Sequence, residues 1–132
     1  MEGRSVSQVS ESDKYQTGKK TLQDLTGREE KNLAGANAFV PAIDTFLKEH
    51  LFADIFSRDV LTYQQRELVT VSALAAMSGV VAQLQAHIGV AMNTGLTASQ
   101  LSGCFRIIGQ VVNKNHGDIA RATLEKVLAA KK

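Results

Sequence analysis

Residues 67–106 read ELVTVSALAAMSGVVAQLQAHIGVAMNTGLTASQLSGCFR, and this stretch decides the fold class. Between its first residue, Glu67, and its last, Arg106, it contains no Asp, Glu, Lys or Arg. An uncharged segment of this length is expected to be hidden from water, either in the core or between subunits. It is rich in Ala, Leu and Val and shows no alternation of apolar with polar residues, so it predicts helices rather than strands.

A membrane-spanning segment is the competing interpretation of the same stretch. A helix that crosses a bilayer needs about 20 consecutive apolar residues. Here polar residues interrupt the apolar run at Gln83, Gln85, His87, Asn93 and Thr94. The sequence therefore favours burial within protein and predicts no membrane partner.

Ser78-Gly79 is the natural break in the first part of the stretch, with one helix near 62–78 and another near 80–94. We expect these two helices to form a central antiparallel pair. A chain of 132 residues cannot easily bury every uncharged surface of both helices, so a homo-oligomer is expected. The small residues that allow close approach of their backbones are Ala73, Ala75, Ala76, Gly79, Ala82, Ala86, Gly89 and Ala91.

Later turn signals predict two more helices. Gly95 suits the left-handed residue that follows a helix. Thr97 and Gln100 have the spacing of a capping box and open the next helix. We expect that helix to end at Gly117 and Asp118 to cap the last one.

The N-terminal half is predicted to contain a tail and shorter helices. Residues 1–13 are rich in Ser and charge and form a flexible tail, which leaves one domain over residues 14–132. A first helix stops near Gly27, and Pro41 suits the first position of a new helix. The apolar stripe of that helix comprises Ile43, Phe46, Leu47, Leu51, Ile55 and Phe56. Together these signals predict an all-α bundle of about six helices.

Composition and charge narrow the class of protein. The formal net charge is only +2 and no basic stripe is interleaved with aromatic residues, so no nucleic-acid partner is expected. Cys104 is the only cysteine and cannot form an internal disulfide. With a polar N-terminus that lacks a signal-peptide pattern, this favours a cytoplasmic location.

Three segments together resemble the carboxymuconolactone decarboxylase family, which has the alkylhydroperoxidase D-like fold. The likeness covers residues 14–128 and includes Tyr15 and Gly18 near its start. The segments, in order, are EHLFADIFSR at 49–58, RELVTV at 66–71 and HIGVAMNTGLT at 87–97. The resemblance implies a helical protomer that assembles as a trimer or hexamer and uses no metal or organic cofactor. It also implies decarboxylation of a carboxylated muconolactone in aromatic catabolism.

Another branch of that family consists of peroxiredoxin-like antioxidant proteins, which reduce hydroperoxides with a Cys-x-x-Cys pair. The two cysteines would be expected around Gly79 and Ala82, whereas Cys104 lies far downstream. Because disulfide cycling needs both a nucleophilic and a resolving thiol, a single cysteine disfavours this alternative. The family's Tyr-x-Gly-x-Pro run is also replaced here, by RIIGQ at 106–110, which leaves the substrate open.

Glu67 and His87 are the candidate catalytic residues. Twenty positions apart on one straight helix, they would lie about 30 Å from each other. Across an antiparallel pair that bends at Ser78-Gly79, their offsets from the bend differ by only about 4–5 Å. The two side chains are then able to meet, within one chain or in a pocket completed by a neighbouring subunit.

The functional interpretation of this pair is general acid/base chemistry. Decarboxylation leaves a carbanion or enolate that must be reprotonated, and a histidine supplies that proton near neutral pH. Arg66 is the candidate for binding a substrate carboxylate in bidentate fashion. The structural alternative is a scaffold in which Glu67 pairs with Arg66 and His87 is a hydrogen-bonded core residue.

Other chemistry-bearing residues give weaker signals. His50, His87 and His116 lack metal-ligand spacing, so no metal site is predicted. His116 beside Gly117 is interpreted as a cation at a helix C-terminus. Cys104 is interpreted as a packing residue.

Overall fold

The computed structural model describes residues 13–130. All regular elements of this part of the chain are helical, which confirms the all-α fold. The predicted tail falls outside the described residues except for Asp13, so the domain boundary stays a prediction. The elements are α1 Lys14–Thr26, α2 Gly35–Phe39, α3 Pro41–Phe46, a π-helical segment Leu47–Ile55, α4 Tyr63–Ala75, α5 Val81–Asn93, α6 Ala98–Val111 and α7 Lys114–Ala130.

The helices group into two compact units. The first unit extends to Thr62 and contains α1 to α3 with the π-helical segment, and the second unit starts at Tyr63 and contains α4 to α7. The seven α-helices within residues 13–130 slightly exceed the predicted number, because α2 and α3 are separate short helices. No helix of residues 13–130 has both the length and the apolar character needed to cross a bilayer.

A buried polar cluster joins α1 to α3 and the π-helical segment in the first unit. Lys48 is fully buried, and its Nζ donates hydrogen bonds to Asp44 Oδ1 at 2.6 Å, to Asp44 Oδ2 at 2.8 Å and to Glu30. Tyr15 donates its hydroxyl hydrogen to Asp44 Oδ2 at 2.8 Å, and Asn37 Nδ2 donates to Oδ1 at 3.0 Å. The buried charge pair therefore has additional hydrogen-bond partners, the condition under which such a pair is tolerated.

The predicted apolar stripe after Pro41 is only partly correct. Pro41 does begin α3, as expected. However, Ile43 is 43% exposed and Phe46 is 62% exposed, while Asp44 and Lys48 are the buried residues one turn apart. The apolar period identified a helix but not its buried face, because the polar cluster occupies the position where an apolar stripe was expected.

In the second unit, α4 and α5 form the predicted antiparallel pair around a turn at Ser78 and Gly79. Gly79 has φ 80°, in the left-handed region that favours glycine. The apolar core of the second unit contains residues from all four of its helices and Leu96 in the turn before α6. The core residues are Val71, Ala75, Leu84, Ile88, Ala91, Leu96, Leu101, Phe105, Ile108, Ala120, Leu124 and Val127.

Two predicted turn signals between α5 and α6 are confirmed. Gly95 follows the end of α5 with φ 100°. Thr97 Oγ1 accepts a hydrogen bond from the backbone N–H of Gln100 at 3.2 Å, and Gln100 Oε1 accepts one from the backbone N–H of Thr97 at 2.9 Å. This reciprocal capping box fixes the start of α6.

The predicted start of the last helix is wrong. We expected Gly117 to end α6 and Asp118 to cap α7, but α7 already begins at Lys114. Gly117 is buried within α7, where a Cβ atom would lie 2.6 Å from Gly109 Cα and 2.7 Å from the carbonyl oxygen of Phe105. This glycine permits two helices to approach closely. In the sequence, such a glycine gives the same signal as a glycine that ends a helix.

Candidate functional site

Glu67 on α4 and His87 on α5 meet across the helix pair. His87 Nδ1 lies 2.9 Å from Glu67 Oε2. The bend near Gly79 brings together two residues that are far apart along the chain, as the offsets from the turn predicted. Both predicted catalytic residues therefore belong to one hydrogen-bonded pair.

The two members of the pair differ in exposure. The Glu67 side chain is 1% exposed and the His87 side chain is 33% exposed. Glu67 shares the inner face of α4 with Val71 and Ala75, at four-residue steps, and both of these are buried. The carboxylate is consequently fixed in the core, while part of the imidazole reaches the surface.

This arrangement assigns a role to each nitrogen of the imidazole. With an ionised Glu67, which accepts hydrogen bonds only, the donor of this contact is the Nδ1–H group of His87. A carboxylate at Nδ1 fixes the tautomer and the ring orientation. His87 Nε2 is the ring nitrogen that this contact with Glu67 does not engage.

Arg66, the predicted carboxylate-binding residue, is half-buried on α4 directly before Glu67. Successive side chains on a helix do not face each other. Arg66 and Glu67 therefore point to different sides of α4, and the suggested role of Arg66 in substrate binding stays a prediction.

Cys104 is a half-buried residue of α6 that packs against the core of the second unit. Its Sγ lies 3.2 Å from Ser72 Oγ. The positions where the related peroxidases would carry their cysteine pair fall at Gly79, in the turn, and at Ala82, in the first turn of α5. Cys104 thus lies on another helix from the Glu67–His87 pair, as its position in the sequence suggested.

The remaining histidines, His50 and His116, belong to no cluster of metal-binding side chains among the described residues. In the described part of the chain, no group of three or more His, Cys, Asp and Glu side chains is placed to hold a metal ion. His50 is exposed, with its Nδ1 3.6 Å from Asp54 Oδ2. His116 lies in the first turn of α7, which corrects its predicted place at a helix C-terminus.

A cleft of about 100 Å³ lies at the end of the α4–α5 pair, beside the first turns of α7. Neither Glu67 nor His87 lines it. Sequence reasoning missed this cleft, because residues that are distant in the chain form its walls. They are Leu74, Ala75, Met77, Ser78, Gly79, Val80, Val81, Leu84, Asn115, His116 and Ile119.

Comparison with known proteins supplies the family. No curated protein matches the chain significantly. The sequence model of the Carboxymuconolactone decarboxylase family matches residues 41–112, from the first residue of α3 to just beyond the end of α6. The match covers more than half of the chain and includes both Glu67 and His87. The chain therefore belongs to the carboxymuconolactone decarboxylase family.

Proposed function

We propose that this chain is a cofactor-independent enzyme that decarboxylates, or transfers a proton on, a small carboxylated lactone or a related acid. His87 is the general acid/base and Glu67 is the residue that orients it. The observation that carries the proposal is the asymmetry of the pair. A fully buried carboxylate lies 2.9 Å from one nitrogen of a partly exposed imidazole.

The proposed reaction needs one proton and no redox partner. The bond between the ring carbon and the carboxylate carbon breaks, CO2 leaves, and the electron pair passes into the ring system conjugated with the lactone carbonyl. His87 delivers its Nε2 proton to the carbanion, and a proton from solvent then restores the imidazolium. Glu67 holds the Nδ1–H group throughout and stabilises the charged ring.

Arg66 is included in the proposal as a ligand for the substrate carboxylate. Its support is chemical: the planar fork of the guanidinium pairs with carboxylates in bidentate fashion. Arg66→Lys retains the charge but loses the fork. It should raise KM more than it lowers kcat, because Arg66 binds the substrate and does not transfer the proton.

The proposed assembly is a homo-oligomer, a trimer or a hexamer, in keeping with the family. Its support is the apolar surface on both units, including Phe46 in the first unit and Val69 in the second. A cytoplasmic location is also part of the proposal and rests on the single cysteine. That same cysteine disfavours the peroxidase alternative, because a lone thiol has no resolving partner in the chain.

The first experiment is an assay of the wild-type protein with 4-carboxymuconolactone, following CO2 release, beside a hydroperoxide-reduction assay. The expected result is CO2 release without peroxidase activity. Peroxide turnover without CO2 release would reverse the assignment. No activity in either assay would exclude 4-carboxymuconolactone as the substrate, and related acids would be assayed next.

A histidine variant separates the enzyme from a scaffold. His87→Asn should lower turnover by roughly 10²–10⁴-fold and leave the helical content and the oligomer unchanged. His50→Asn, at an exposed histidine, should behave like the wild type. If His87→Asn instead unfolds or dissociates the protein, the Glu67–His87 pair has a structural role and the scaffold is the better account.

A further inference from the structure

The cleft at the end of the α4–α5 pair has mostly apolar walls and one titratable side chain. Leu74, Val81 and Ile119 are among its apolar residues, and His116 is the titratable one. The cleft is small beside the ~300–1,000 Å³ of sites for drug-sized ligands. It therefore suits a fragment-sized molecule with an apolar body.

His116 is incompletely paired. Its Nδ1 is buried and has no hydrogen-bond partner among the described residues. We assign the ring proton to Nε2, by analogy with backbone groups, among which an unpaired buried N–H is rarer than an unpaired acceptor. Nε2 is 3.5 Å from Ser78 Oγ, the outer limit for a hydrogen bond. The Nε2–H group thus has only a weak acceptor in the protein itself.

From this geometry we propose that the cleft is a second binding site, separate from the Glu67–His87 pair, for a small neutral carbonyl compound with an aliphatic body. The carbonyl oxygen accepts a hydrogen bond from His116 Nε2 and replaces the long contact with Ser78. The aliphatic body packs against the apolar walls and buries its surface there.

The absence of charge in the cleft lining decides between a neutral carbonyl and a carboxylate. None of the residues that line the cleft is Lys, Arg, Asp or Glu. A carboxylate that enters an apolar site without a fixed cation loses its hydration without compensation. A ketone, ester or lactone carbonyl needs only one donor, and His116 provides it.

The test is a titration of the protein with two nearly isosteric probes, in which the amide chemical shifts report binding. Methyl isobutyl ketone carries the neutral carbonyl, and isovalerate carries the same branched body with a carboxylate. Saturable shifts confined to the cleft segments 74–84 and 115–119, with tighter binding of the ketone, are expected. Tighter binding of isovalerate, shifts scattered over the surface, or no saturable shifts with either probe would overturn the proposal.

Variants of the full-length chain sharpen the test. Ile119→Trp fills the cleft from a partly exposed position and should abolish the shifts, and Val81→Phe does the same from α5 if the first variant fails to fold. His116→Ala should weaken ketone binding by about fivefold, the worth of one hydrogen bond. His87→Asn should leave binding unchanged, so the result is independent of the proposed decarboxylation. Retention of full affinity in His116→Ala would contradict the role of its Nε2.

Discussion

Glu67 and His87 share one hydrogen bond but occupy different environments. The carboxylate is fixed in the core of the second unit, and the imidazole reaches partly into solvent. If Glu67 acts only by orienting the ring and stabilising its charge, its contribution depends on the presence of His87. Residues that work as a unit in this way give losses that do not add.

The resulting prediction is a double-variant experiment on decarboxylation. Glu67→Gln and His87→Asn should each lower kcat by roughly 10²–10⁴-fold. The combined variant should be little worse than the more damaging single one, because both remove the same proton transfer. Steady-state kinetics measures this. Glu125→Gln, at an exposed position of α7, is the matched control and should retain wild-type kcat; multiplicative losses would show two independent roles.

Lys48 is a second residue whose environment matters more than its type. Burial by itself would lower the pKa of this lysine, but hydrogen bonds to Asp44, Glu30 and Tyr15 and the charge of Asp44 raise the pKa above its ordinary value. The ammonium group is therefore charged at neutral pH although it is buried. Its positive charge compensates the buried carboxylate of Asp44.

Lys48→Met should destabilise the protein by about 3–5 kcal/mol, because it leaves the Asp44 carboxylate buried without its counter-charge. Urea unfolding followed by circular dichroism measures the change. Combining Lys48→Met with Asp44→Leu removes both charges and should recover much of the lost stability. A double variant as unstable as Lys48→Met alone would contradict the charge-pair explanation.

The same cluster predicts a pH dependence. Burial by itself would raise the pKa of the Asp44 carboxyl, but hydrogen bonds from Lys48, Tyr15 and Asn37 and the charge of Lys48 outweigh it and lower the pKa. A lowered folded-state pKa contributes stability above the ordinary pKa, and this stability is lost as the pH falls through the folded value. Asp44→Asn should lower the free energy of unfolding relative to wild type, and this difference should shrink below about pH 4. Asp24→Asn, at an exposed position of α1, should lower the free energy of unfolding only slightly at every pH.

At the scale of elements, the contact between α6 and α7 depends on the absence of a side chain. Gly117 brings α7 within van der Waals distance of the α6 backbone at Gly109. Any Cβ atom there meets main-chain atoms, which cannot rotate away as a side chain does. The close contact therefore requires glycine at this position.

Gly117→Ala should destabilise the protein by about 1–3 kcal/mol, since the added methyl group forces the two helices apart. Gly103→Ala is the matched control on α6, where a Cβ meets no atom within 4 Å. The control should be neutral or stabilise by up to about 1 kcal/mol, because alanine is the better helix former. Thermal unfolding at one protein concentration compares the two variants. A Gly117→Ala variant as stable as Gly103→Ala would contradict the close contact.

At the scale of the whole molecule, the uncharged stretch is only partly buried within a single chain. Val69 on α4 is 63% exposed, although it belongs to the stretch between Glu67 and Arg106 that contains no charged residue. Other large apolar side chains exposed on the second unit, apart from those that line the cleft beside His116, are Leu68, Ile107, Val111 and Val112. Exposed apolar surface of this kind is typical of protein–protein contacts, and it supports the proposed oligomer.

Sedimentation analysis should therefore give a mass of three or six times the 14.2 kDa of one chain. Val69→Lys should dissociate the assembly, because an unpaired charge cannot be buried at low cost in an apolar contact. Ser99→Lys, at an exposed polar position of the same uncharged stretch, should leave the mass unchanged. A monomeric wild-type protein would contradict the proposed assembly.

Local signals in the sequence determined the fold class, the break at Ser78-Gly79, the capping box at Thr97 and the pairing of Glu67 with His87. These features depend on residues close together in the chain, or on two helices whose offsets are counted from one turn. Turn chemistry and helical rise are sufficient to predict them.

Tertiary structure alone decided which face of α3 is buried, that Gly117 lies inside a helix, and that a cleft opens beside His116. In the first two cases the sequence signal had two meanings, and the cleft had no sequence signal because its walls come from distant residues. A glycine permits either a left-handed turn or a close helix contact, and a Lys–Asp pair one turn apart forms either a solvated ion pair or a buried cluster. The choice depends on atoms contributed by distant segments, such as Tyr15 to Lys48 and Gly109 to Gly117, whose proximity follows only from the packed chain.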